Sequence, residues 1–134
     1  MKKYLFIIAA FTLIVVSSSS CKVVYPVKGL WIGTAVDGTG GPSAFYGASF
    51  FADGTVLNKA ISSVGGAVYY SGGTWTLSGD TIKCMVTSIG PTTIITQTQT
   101  FIYSKRGRLT SGSWTDISGN NDYGTFSTMT PASK

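Results

Sequence analysis

The chain contains no histidine and no glutamate, and only two cysteines occur in its 134 residues. Without histidine a Ser-His-Asp triad cannot be built, and the usual zinc-binding sets of His and Cys fall short of ligands. The acidic side chains are five aspartates, and all fall at turn signals: Asp37-Gly38, Asp53-Gly54, Gly79-Asp80, Asp116 opening a loop, and Asn121-Asp122. In such places the carboxylate bonds local backbone. The expectation is that none is a buried catalytic carboxylate. The glycine-rich piece Gly38-Thr39-Gly40-Gly41 lacks a following helix and a Lys-Ser/Thr pair, so it is not a phosphate loop. The loop from Asp116 to Asp122 lacks the EF-hand ligand pattern. These absences point away from an enzyme. No catalytic residue, metal ligand or cofactor is expected.

Charge is also scarce. Charged residues make up 11% of the chain, against about 25% in an average globular domain. With no Glu, the Lys/Glu faces of solvent-exposed helices cannot be written, and no stretch beyond residue 21 has helical apolar spacing with caps. The formal net charge is +5, but Lys2 and Lys3 supply two of the ten cations. The single basic cluster, Lys105-Arg106-Gly107-Arg108, has the size of a solvated turn. Nucleic-acid binding needs far more cationic surface, so no nucleic-acid partner is expected.

No apolar run is long enough to span a bilayer, which takes roughly 17 to 25 residues. The longest, Tyr4 to Val16, does have a secretory layout: Lys2 and Lys3 before it, Ser17 to Ser20 after it, then Cys21. A cysteine at that point resembles a bacterial lipobox. Ser19 and Ser20 fit the two positions before the cysteine, and Ser18 stands where the box usually has Leu. The resemblance implies a lipoprotein signal peptide over residues 1–20 and lipidation at Cys21. The membrane, reached through a lipid anchor, is then a partner, and the location is the bacterial cell envelope, on its periplasmic or surface face. Residues 21–28 read as a tether containing Pro26. With Cys21 acylated, Cys84 has no disulfide partner; with Cys21 free, a Cys21–Cys84 bridge is open. Cys84 alternates in phase with Ile82 and Val86, as a buried apolar thiol does.

What remains is rich in Thr, Ser, Gly, Val, Ile and aromatics, which suit pleated strands. Turn signals divide it into eight strands: Gly29–Val36, Ser43–Ala52, Thr55–Ile61, Ala67–Ser78, Thr81–Ser88, Thr92–Ser104, Arg108–Thr115 and Tyr123–Thr130. A bulge is expected at Gly72-Gly73. Short connections make an antiparallel meander. Closing it over residues 29–131 removes two long edges. The fold class is therefore all-β, an eight-stranded antiparallel up-and-down barrel, with a β-sandwich as the alternative.

Two features bear on function. Trp31, Trp75 and Trp114 each fall in a strand shortly after glycine, and are expected to be largely buried, either as core or as ligand lining. In the sixth strand Ile95, Gln97, Gln99, Phe101 and Tyr103 share one face. If Phe101 points inward, so do both glutamines, and they need hydrogen-bond partners there; otherwise the row lies in solvent. Inward, Trp75 and Phe101 with Gln97 and Gln99 as polar anchors give the mixture that ligand pockets show.

Gly29-Leu30-Trp31 resembles the G-x-W motif that opens the first strand of lipocalins and related calycin barrels. Trp31-Ile32-Gly33-Thr34, Asp53-Gly54-Thr55-Val56, Gly73 to Leu77 and Gly124-Thr125-Phe126 are, in that order, similar to small bacterial lipocalin-like lipoproteins. In lipocalins the Trp closes one barrel end beneath an Arg from the last strand region; here Arg108 opens the seventh strand. The resemblance implies non-covalent binding of a small, largely apolar molecule in the barrel. A barrel plugged by its own aromatics, serving as an envelope structural or protein-interaction module, is the alternative, and interior volume decides between them. Mass spectrometry of the mature protein is expected to show an acylated Cys21. A mature chain that still begins at Met1 would exclude lipidation.

Overall fold

The computed structural model describes residues 27–90 and 93–133. The signal peptide, Cys21 and most of the tether lie outside them. The chain order is β1 (Gly29–Asp37), β2 (Ala44–Phe50), β3 (Thr55–Ser62), β4 (Val68–Ser78), β5 (Thr81–Ile89), β6 (Ile94–Ser104), β7 (Arg108–Asp116), β8 (Tyr123–Phe126) and β9 (Thr130–Pro131). Neighbours pair antiparallel from β2 through β8, β8 pairs β1, and β1 pairs back to β2. The sheet closes into an eight-stranded barrel, and no helix occurs among the described residues. This is the barrel alternative rather than the sandwich.

The expected eighth strand, Tyr123–Thr130, is corrected at its centre. β8 lies along Ala35–Asp37 and β9 along Trp31–Ile32, so both follow the same edge of β1. Between them the chain detours. Ser127 N–H bonds the Thr34 carbonyl, and Met129 exchanges two 2.9 Å bonds with Leu109. The detour turns Met129 inward, fully buried. Its Cγ occupies the space a side chain on Gly33 would need, 2.8 Å from where that Cβ would stand.

The expected bulge at Gly72-Gly73 is also corrected. Both glycines keep continuous register with β3 and β5. The irregularity lies where β6 meets β7: Thr100 pairs Ser113 and Ile102 pairs Thr110, leaving two residues of β7 opposite Phe101. Ser111 takes the left-handed backbone there, at φ 51°. The extra residue resets the alternation, so that Leu109 and Gly112 both face inward.

The turns use their aspartates as expected. Asp53 Oδ1 accepts from the Thr55 N–H at 2.9 Å and the Thr55 hydroxyl at 2.6 Å. Asp37 does the same with Thr39 at 2.8 and 2.7 Å.

Closure gives the barrel two ends. The turns 51–54, 79–80 and 105–107 form the base. The loops 38–43, 63–67 and 117–122, with Gly90 and Thr93, form the mouth. The base half is solid: Trp31, Phe50, Val56, Ile82, Phe101, Leu109 and Met129 are each at most 2% exposed. Trp31 donates from Nε1 to the Val27 carbonyl at 2.6 Å and meets Tyr103 edge-on, with centroids 6.1 Å apart. Trp75 and Trp114 pack against the core only partly buried, which corrects the expectation of three largely buried tryptophans. Room for the Trp114 ring comes from across the sheet. It pairs with Gly124, where any Cβ would stand 2.5 Å from the indole.

Trp31→Ala is expected to lower stability by about 3–5 kcal/mol, as large-to-small core changes do. A urea titration measures it, and a change below about 1 kcal/mol would place Trp31 outside the core.

Candidate functional site

Several inward positions on the mouth side are small. Ala35, Ala60, Ser71 and Ser88 stand where larger residues would close the lumen, and a cavity of about 220 Å³ opens among them. Its apolar wall includes Val86, Ile95, Trp114 and Phe126, and Tyr69 stands beside them. No lining residue carries a formal charge.

A row of polar side chains crosses the lumen. Gln99 is 2% exposed and faces inward with Phe101, which settles the orientation of the sixth-strand glutamines. Its Oε1 accepts from the Tyr46 hydroxyl at 2.9 Å and from Asn58 Nδ2 at 3.2 Å. Its Nε2 donates to Gln97 Oε1 at 3.5 Å. Burial pushes the Tyr46 hydroxyl far above its ordinary range, so Tyr46 stays a neutral donor. Two donors therefore converge on one carbonyl and fill its lone pairs. Asn58 is 3% exposed, and its Oδ1 is buried without a partner. A buried acceptor left unsatisfied costs about 1–3 kcal/mol.

The four residues expected at a ligand site separate. Gln97 and Gln99 line the cavity. Phe101 and Trp75 do not. Phe101, 0% exposed, lies one inward step toward the base and stacks on Phe126 at 4.9 Å. Trp75 sits over the 51–54 turn, where its Nε1 donates to the Phe51 carbonyl at 3.0 Å and its ring meets Phe50 edge-on at 5.3 Å. The sequence reading missed Tyr46 and Asn58. Both were legible in principle. Asn58 alternates with Val56 and Ala60, and Tyr46 with Ala48 and Phe50, so a polar group falls in an apolar phase each time.

Cys84 is 4% exposed, and burial pushes its thiol up to about 12. A thiol held neutral is a poor nucleophile. Asp116 corrects the expectation that no aspartate is buried, being 4% exposed on the inward face of β7. Its cover is its own loop. The Ser118 hydroxyl, the Ser118 N–H at 2.7 Å and Asn120 hold its carboxyl below the usual range. Among the described residues no group of three or more His, Cys, Asp or Glu is placed to hold a metal ion.

Comparison of the chain with protein-family models, with curated proteins and with solved structures finds no match.

Three aspartates, Asp37, Asp53 and Asp116, titrate below the ordinary value of 3.8, because neighbouring hydroxyls and then backbone N–H groups bond the charged form. A depressed folded value adds stability above the unfolded value and loses it as pH falls through the folded one. With no histidine, the melting temperature is expected to stay level from about pH 8 to 5 and to fall below about pH 4. Asp53→Asn is expected to remove part of that acid loss. Unchanged acid sensitivity in Asp53→Asn would exclude this turn as a source.

Proposed function

We propose that the protein is an exported, lipid-anchored, non-enzymatic lipocalin-like barrel of the cell envelope that binds a small apolar or amphipathic molecule in its mouth-side cavity. The observation that carries this reading is the division of the lumen. The base half is filled by large apolar side chains, while the mouth half is left open over a polar row set in an apolar wall. Small-molecule sites combine those two features. A barrel evolved only as a plug has no need of buried glutamine, asparagine and tyrosine that must satisfy one another. The lack of histidine and glutamate and the high thiol range of Cys84 support the non-enzymatic part. The lipobox-like segment ending at Cys21 supports the anchor.

One observation favours the second reading, an interaction module. Leu30, Phe45, Leu57 and Tyr70 expose apolar surface on the outside of β1 to β4, around a groove of about 310 Å³. Exposed apolar patches of this kind mark contact surfaces.

Native mass spectrometry of protein extracted from its own membrane separates the two. Ligand binding predicts a co-purifying small molecule that is lost in Gln97→Leu/Gln99→Leu. A protein partner with an empty lumen in both forms would favour the interaction module instead.

A further inference from the structure

We infer that the cavity selects a compact, uncharged molecule bearing an N–H or O–H donor, and that Asn58 is the residue that reads this donor. The inference rests on the lumenal-binding reading above and adds the chemical class of the ligand. It follows from counting hydrogen bonds along the polar row. The Gln99 carbonyl already accepts two, from Tyr46 and Asn58. The Gln99 amide is directed at Gln97. The atom of this row that is buried without a partner is the Asn58 carbonyl oxygen, which stands beside the cavity. A carbonyl can only accept, so its complement is a donor.

The donor is neutral. The inward carboxylate Asp116, opposite Gln97, is covered by its own loop and lies outside the cavity lining. An ammonium group in the cavity would therefore lack an adjacent countercharge, and an unpaired buried charge is strongly disfavoured. The size is bounded too. A cavity of about 220 Å³ suits a compact ring system better than a long acyl chain enclosed along its length. Trp114, Tyr69 and Phe126 line the same cavity and offer ring faces and edges.

The test compares indole with benzofuran by calorimetry or by NMR titration on the full mature protein. The two share one bicyclic skeleton and differ in a ring N–H against a ring oxygen. Wild-type protein is expected to bind indole at least about tenfold more tightly, because a site built for a donor rejects the analogue that leaves its acceptor unpaired. In Asn58→Leu the two probes are expected to bind alike. Equal or reversed affinity in wild-type protein overturns the inference and leaves lumenal binding standing. Binding of neither probe, together with no co-purifying molecule, overturns both. The wild-type comparison needs no variant, so it holds even where Asn58→Leu fails to fold.

Discussion

The pairing of β1 with both β2 and β8 is the constraint on which the rest depends. Once the sheet closes, every second residue of every strand is committed to one narrow interior. Space at each level of that interior is fixed, so the sizes of inward residues decide what the level becomes. Trp31, Phe50, Ile82, Phe101, Leu109 and Met129 make the base solid. Ala35, Ala60, Ser71 and Ser88 leave the mouth half open. The same closure makes Gly33 and Gly124 necessary, since Met129 and Trp114 fill the space their side chains would need.

Closure also explains the polar row. Gln97 and Gln99 share a face with Phe101, so burying Phe101 buries them as well. Their hydrogen bonds must then come from neighbouring strands. Tyr46 on β2 and Asn58 on β3 reach Gln99 on β6 across the lumen, with sequence separations of 53 and 41 residues. Such contacts form only when the barrel has closed, which ties the site to the completed fold. Satisfied networks of this kind specify one arrangement of a core. The unsatisfied Asn58 oxygen is the point where that arrangement is left open to something else.

Much of the fold was legible because its signals are local. Seven strands appear within a residue or two of where turn residues and period-two alternation place them. Asp37 and Asp53 cap their turns through Thr39 and Thr55, as their side-chain chemistry dictates. What was not legible depends on partners far away in sequence. The bulge at Ser111 answers the register between β6 and β7, whereas Gly72-Gly73 looks bulge-prone alone but is held straight by two neighbours. Trp114 finds its room at Gly124 across the sheet, not at the glycine before it. Trp75 is inward by phase yet sits at the base, because height along the barrel is set by strand stagger, which alternation does not encode.

The same distinction governs the candidate site. Phase alone marks Asn58 and Tyr46 as polar groups in apolar rows, but it does not say whether they meet. Height does: Tyr46, Asn58 and Gln99 sit at one level, where a hydroxyl, an amide and a carbonyl can join. Had the β6 stagger differed by two residues, Phe101 would stand at that level. Tyr46 and Asn58 would then face a ring with no acceptor, and the lumen would lose the partner that holds both side chains. The site is therefore a property of register. Strand identity supplies the groups, and the closed barrel's shear decides that they converge.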